Sequence, residues 1–277
     1  APANANPVLP AAESLNMESS RMAIMKKGPW QVYFHYGQLR VSHSQAEALN
    51  FEAFYEKTDI THDPSTVGYG SPLHKEFYSK AYAHNVPLVD GIGQEGWNPG
   101  TLIAFAPDGT VARVSASQPA YRKNAQAERE LVIRGSDLID TVTIATTDKK
   151  PHELGLLFQI QGKAELPGSF QPDSSLANGT GPLAGFSYWK EVRSAPYTDR
   201  AAFVVTYPDG RKMQLTFTLP GAFTVTHALA PDAPPKRRET FYVRVPGEKA
   251  VFKTTITPLK AAAVSTGEPV LPGETVR

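Results

Sequence analysis

RAAFVVTYPDGRKMQLTFTL, running from Arg200 to Leu219, decides the fold class. Met213, Leu215, Phe217 and Leu219 alternate with Gln214, Thr216 and Thr218, which is the period of a half-buried strand. Pro208–Gly210 breaks the pattern with a turn whose glycine accepts a left-handed backbone. The stretch reads as an antiparallel hairpin. TLIAFAPDGTVARVSAS (Thr101–Ser117) repeats the device around Pro107–Gly109. Further strands are expected in WQVYFHYG (Trp30–Gly37), LNFEAFY (Leu49–Tyr55), VPLVDG (Val86–Gly91), ELVIRG, DTVTIAT, LGLLFQIQGKAEL, TFYVRV and AVFKTTITPL. Helical periodicity is limited to a turn or two within Pro72–His84. The 24 prolines and 21 glycines fall mostly between the strands. The fold class expected is all-β: an antiparallel β-sandwich of more than one sheet.

The chain has 277 residues, enough for a sizeable core. Its 28 basic and 27 acidic residues nearly cancel, so bulk charge makes no case for nucleic acid or for an anionic membrane. No run approaches the roughly 20 apolar residues of a membrane-spanning helix. There are no cysteines, which excludes disulfides, thiolate nucleophiles and thiolate metal sites. APANANPVLPAAES lacks a charged start followed by an apolar core, and residues 1–14 read as a linker. Residues 15–260 are expected to form the β-sandwich domain, and 261–277 a tail without ordered structure.

Two connections stand out. Phe170–Trp189 is long, polar and Gly-rich, and reads as a binding or mobile loop. Lys236–Arg238, three consecutive cations after a Pro-rich stretch, reads as a solvated turn.

Chemistry-bearing residues gather earlier in the chain. His43 follows a Gly-Gln-Leu-Arg turn and precedes a strand. Its spacing alone suits an exposed loop histidine, although at the mouth of a sandwich it could carry a proton. Asp63, His62 and His84 could approach one another through a loop and bind a divalent ion, but their spacing is not a compact metal motif. Tyr69, Tyr78 and Tyr82 suit either aromatic packing or proton transfer.

Taken together, SHSQAEALNFEAFY, ITHDPSTVGYG and YAHNVPLVDGIGQ resemble the C-terminal β-domain of the heparinase II/III-like polysaccharide lyases, which include alginate and heparin/heparan lyases. That family shows His-x-His-x-Asp before a strand, then Val-Asp-Pro-Gly-Thr-x-x-Tyr, then Ala-His-Asn-x-x-x-Val-Asp-Gly, in this order. AYRKNAQAERELVI and PHELGLLFQIQGKAE look like its next landmarks, so the motif resemblance spans roughly Leu9 to Glu165.

The resemblance implies an N-terminal α/α-toroid, absent from these residues and either removed or a separate chain, with the active site between toroid and sandwich. It implies cleavage of uronic-acid polysaccharides by β-elimination, and a bacterial periplasmic or secreted location. His43 and Tyr69 match cleft residues and are the catalytic candidates. Arg40 and Lys75 are candidates for contact with the acidic polysaccharide. The tyrosine acting in elimination, and an Asn/His pair for the substrate carboxylate, would come from the toroid. Asp63 and His84 match two ligands of the family's zinc site. Gln45 stands where the third ligand would be, followed by Glu47 in place of Asp. Glutamine is a poor zinc ligand, so an ion-free Asp63–His84 hydrogen bond is an alternative. A non-catalytic glycan-binding or scaffolding sandwich is the competing function, with Trp97, Tyr188 and Trp189 as its stacking surface.

Overall fold

The computed structural model describes residues 13–39, 44–64, 66–176 and 179–260. Most of the expected linker and all of the expected tail lie outside them, as do Arg40 and His43.

The first sheet is a five-stranded antiparallel meander: β1 (Leu15–Met17), β2 (Met22–Lys27), β3 (Trp30–His35), β4 (Asn50–Tyr55) and β5 (Thr58–Thr61). On β3, Trp30, Val32 and Phe34 are buried, while Gln31, Tyr33 and His35 are half-buried on the other face. The register puts His35 opposite Asn50 and Tyr33 opposite Glu52. Side chains directly opposite share a face, so His35, Asn50 and Glu52 stand side by side, away from the Trp30 face.

The remaining strands are β6 (Pro87–Val89), β7 (Thr101–Ala106), β8 (Val111–Arg122), β9 (Ala125–Arg134), β10 (Asp137–Thr146), β11 (His152–Ile160), β12 (Lys163–Ala164), β13 (Gln171–Pro172), β14 (Lys190–Thr206), β15 (Lys212–Pro231), β16 (Arg237–Gly247) and β17 (Lys249–Pro258). Their main path runs β6-β11-β16-β15-β17-β10-β9-β8-β7. The opening hairpin is its hub. β14 pairs along one edge of β15, from Lys212 to Leu229. The other edge is shared: Met213–Thr218 pairs with β17 and Thr224–Pro231 with β16. Two sheets therefore diverge from one long hairpin. The sequence marks the divergence with Pro220–Gly221, which cannot continue a regular ladder. A register shift falls there, and Gly221, with φ of +79°, donates its N–H to Asp199 at 2.7 Å.

Both PDG tripeptides form the expected hairpin turns. The Pro208–Gly210 turn also ties the sheets together. Thr58 donates to Asp209 at 2.5 Å, and the Arg211 guanidinium lies over the Tyr55 ring at 4.9 Å. Trp30 Nε1 crosses to the carbonyl of Ser136, at the β9–β10 turn, at 2.8 Å. The main core joins Trp30, Phe34 and Phe51 to Phe158, Phe203, Phe217 and Phe241. Burying each such ring contributes on the order of 2–3 kcal/mol.

A second apolar cluster lies beneath two short helical segments. Phe77, Tyr78, Tyr82 and Leu157 pack there with Phe186, Trp189 and Tyr242. Gly155 makes room for it, since a Cβ there would lie 2.2 Å from the Tyr242 ring. The Phe170–Trp189 connection is thus more than a loop. It contains β13 and a helical segment, Gly181–Tyr188, and buries Phe170, Phe186 and Trp189.

Two expectations need correction. Trp189 is buried and offers no stacking surface. Lys236 and Arg237 are exposed, but Arg238 is buried: it bonds Asp232 at 2.6 Å and donates to the carbonyl of His62. A buried guanidinium needs that carboxylate, and the preceding tight turn, with Lys236 N bonded to Ala233 O, supplies it. No helix among the described residues is long and apolar enough to cross a membrane.

Candidate functional site

Asp63 ends the extended run of β5 and is drawn inward by two bonds to one oxygen. Asn50 Nδ2 donates to its Oδ1 at 2.7 Å, and His84 Nδ1 lies 3.0 Å from the same atom. His84 is fully buried beside Asn85, between a short helical turn and β6. Asn85 locks this segment to three others. It donates to the Phe51 carbonyl and to Thr61 Oγ1, and accepts from the backbone of Gln159. Asn50 Oδ1 receives the N–H of Asn85 at 2.9 Å. The two asparagines thus tie the Asp63–His84 pair to β4, β5 and β11.

The third side chain of the cluster is Glu47, not Gln45. One ligand-type atom each from Glu47, Asp63 and His84 lies within 4.8 Å of the others. A glutamine chain sets this register. Gln94 accepts from Ala48 N at 2.6 Å and donates to Gln38 Oε1, and Gln38 Nε2 donates to the carbonyl of Gln45 at 3.0 Å. The backbone of Gln45 is engaged in that clamp. The side chain two residues on reaches the pair, and Glu is long enough to do so.

The charges are strongly coupled. Burial pushes the Glu47 carboxyl up to about 8; His84 opposes the rise and the neighbouring Asp63 adds to it. Burial would also raise Asp63, but the charge and hydrogen bond of His84 outweigh that and hold it below the usual carboxylate range. His84 is raised: burial opposes its charge, and Asp63 overcomes the burial. His35, 3.9 Å from Glu47 and 3.8 Å from Glu52, is lowered by burial. Glu52 is pushed up to about 7 by burial and by Asp63. The site therefore holds one firm carboxylate, one imidazole favouring its charged form, and two acids that keep their protons to neutral pH. His84 Nε2 is buried without a hydrogen-bond partner. The three side chains, an imidazole and two carboxyl groups with ligand-type atoms within 4.8 Å of one another, are a donor set that fits a divalent ion.

Two cavities meet at Ser44, the residue after His43. One, of about 510 Å³, contains His35 and Glu47. The other, of about 550 Å³, contains Lys75 and Trp97. Tyr69 is 61% exposed, on the loop that follows Asp63, its ring edge-on to His74 at 4.8 Å. The structure thus joins Asp63 to His84, puts Lys75 in a cavity, and leaves Tyr69 out on the covering loop. His62, 2.5 Å from Asp59, is held in its own ion pair. Sequence reasoning missed His35, Asn50, Glu52 and Asn85. The available signal was a polar side chain on an otherwise apolar strand, as in Asn50 beside Phe51.

The model of the heparinase II/III-like C-terminal domain matches residues 10–258. The chain belongs to this family. Among solved structures, a heparinase III gene product is similar to this heparinase-like chain with a TM-score of 0.66 at 15% identity, over 92% of this chain and 38% of that one. A heparan sulfate lyase from Pedobacter heparinus gives 0.65 at 12% identity, over 91% and 37%. A putative aldose 1-epimerase from Escherichia coli K12 reaches 0.51 at 8% identity, over 86% of this chain and 98% of its own, which reflects the sandwich fold alone. No curated protein matches. The chain spans less than two-fifths of the two lyases.

Proposed function

We propose that the chain forms the β-sandwich wall of a polysaccharide lyase that cleaves uronic-acid glycans by β-elimination. What carries this reading is the fixed Asp63–His84–Glu47 cluster beside two cavities that meet next to His43, in a chain of the heparinase-like family. In the reaction, a base takes the C5 proton beside the carboxylate. The electron pair forms the C4–C5 double bond, and the glycosidic oxygen on C4 leaves with a proton from an acid. The C5 proton is weakly acidic, so the developing enediolate needs donors or cations aimed at the carboxylate. His43 and Tyr69 serve proton transfer from this side of the cleft, and Arg40 and Lys75 contact the acidic chain. An N-terminal α/α-toroid supplies the opposite wall. The compartment proposed is the bacterial periplasm or exterior.

Glu47, Asp63 and His84 would hold a divalent ion such as zinc, whose fixed positive charge would tie the strand ends beneath the cleft. The test combines metal analysis with melting. A one-equivalent ion that raises Tm in wild type and is lost in D63N and H84Q supports the site; no ion in wild type rejects it.

The activity test follows the ultraviolet absorbance of the unsaturated product, using the complete enzyme on a panel of uronic polysaccharides. His43→Ala and Tyr69→Phe should each lower kcat by about 100-fold or more. Full turnover in both would reject the assignment.

A further inference from the structure

The cavity of about 550 Å³ has a chemistry of its own. Almost every neutral polar group on its wall is already spoken for. Gln94 uses its oxygen on Ala48 N and its nitrogen on Gln38 and the Gly96 carbonyl. The Tyr82 hydroxyl donates to the carbonyls of Gly91 and Pro182. Ser79 Oγ donates to the Lys75 carbonyl, and Glu76 accepts from the Tyr188 hydroxyl at 2.7 Å. The charged groups on the wall are the Glu76 carboxylate, engaged by Tyr188, and two lysines, Lys75 and Lys80, which are exposed and, among the described residues, in no ion pair. Trp97, 38% exposed, adds an aromatic surface to the same wall.

That surface is held in place. Gln38 N donates to the Asn98 carbonyl at 3.0 Å, Asn98 Nδ2 to the Ala120 carbonyl at 2.8 Å, and Glu95 N to the Tyr121 carbonyl at 2.8 Å. The backbone on either side of Trp97 is therefore anchored to β8 and to the segment after β3, and a ligand meeting it loses little affinity to ordering the loop.

We propose that this cavity is a subsite for one anionic sugar of the glycan, stacked on Trp97 with its acid group between Lys75 and Lys80. Against the one carboxylate, Glu76, which Tyr188 already engages, the wall sets two lysines and the Trp97 indole N–H, and a wall with that excess of cations and donors suits an acid group better than a neutral sugar. The volume lies within the usual span of small-molecule pockets. The assignment rests on the lyase reading for its position: Ser44 borders the cavity and follows His43, so the bound sugar neighbours the one that is cleaved. The shared chemistry is an anion on a pyranose ring, carboxylate or sulfate.

The test is titration calorimetry on the full-length protein. Size-defined non-sulfated uronate oligosaccharides, sulfated heparan oligosaccharides and neutral cello-oligosaccharides are the probes. Trp97→Ala should weaken the acidic oligosaccharides about tenfold, and Trp97→Phe should recover most of that loss. Lys75→Gln/Lys80→Gln should remove the preference for acidic over neutral probes and flatten the salt dependence. Lys163→Gln, whose side chain borders a separate cavity, should bind as wild type. Loss confined to sulfated probes assigns the anion as sulfate, and loss on non-sulfated uronates assigns it as carboxylate. In turnover, Trp97→Ala should raise KM more than it lowers kcat. Acidic probes bound equally by wild type, W97A and the double variant would overturn the subsite. If the full enzyme cleaves no uronic glycan but W97A still loses binding, the lyase reading falls and the subsite stands. If it cleaves and both variants keep wild-type Kd and KM, the subsite alone falls.

Discussion

Arg129 shows how one side chain can hold a site it does not touch. Fully buried, it bonds Asp140 twice, at 2.8 and 2.6 Å, lies over the Phe51 ring, and donates to the carbonyls of Leu49 and Asn85. The residues next to those carbonyls, Asn50 and His84, are the ones bonded to Asp63. Burial pushes the Asp140 carboxyl up, and the guanidinium offsets only part of the rise. Arg129→Met would leave an unpaired buried acid and two unanswered carbonyls. The expected loss is about 3–5 kcal/mol, read from urea midpoints. Arg129→Met/Asp140→Leu should recover part of it, because the second change removes the stranded charge; a double variant no better than the single would refute the pairing argument. Little of this was legible. AERELVI reads only as a charged strand, and burial depends on which strand lies over it. The same limit applies to Arg238, which no count of consecutive cations separates from its exposed neighbours. His84 and Asp63 were legible, because AHNVPLVDG keeps its motif and HDPSTVGY keeps the Asp-Pro, Thr and Tyr of its own. Glu47 was not, because only the glutamine clamp shows which side chain of the loop turns inward.

Two elements carry predictions of their own. The β15 bulge needs a left-handed residue at Gly221, where any side chain is strained. Gly221→Val should cost about 1–3 kcal/mol, while the same change at a φ-compatible exposed strand position should not. Equal melting points for wild type and G221V would reject the bulge as the point of divergence. A second joint lies at the start of β11. There His152 bonds Asp90 Oδ2 at 2.6 Å and Asp148 Oδ2 at 3.1 Å, joining the turn after β6 to the β10–β11 connection. Those two hydrogen bonds raise its pKa above the ordinary imidazole value. A raised folded-state pKa means the protonated form favours the fold. The contribution is complete below about pH 6.5, the ordinary value, and fades as pH rises through the higher folded value. His152→Gln should therefore lower Tm more at acidic than at alkaline pH, and a pH-independent difference would sink the clamp. At this scale the sequence was most informative. Alternation and PDG turns exposed both hairpins. β1 escaped because it is only three residues long, and β2 because MAIMKK has no β-branched or aromatic run to mark a strand. The first half of β14, KEVRSAPYTD, escaped because it is mostly exposed and has no apolar period.

At the scale of the whole molecule, the first sheet and the strands that diverge from the long hairpin share one continuous core, from Trp30 to Phe252. That core is built from residues of this chain, so the chain is expected to fold without the proposed toroid. Catalysis is different. In the proposed lyase, this chain offers a proton-holding cluster, two cavities and lysines, but elimination would also need groups on the far face of the sugar to neutralise its carboxylate. The proposed toroid must bring them. The isolated chain is therefore expected to bind acidic oligosaccharides through the Lys75–Trp97–Lys80 cavity and to produce no unsaturated product. Adding the toroid, covalently or in trans, should restore turnover without changing the melting of the sandwich core by more than the binding energy of the two parts. Bound oligosaccharide with zero turnover, then activity on addition, supports the division of labour. Robust cleavage by this chain alone would show that His43, Tyr69 and their neighbours suffice, and would remove the need for a second wall.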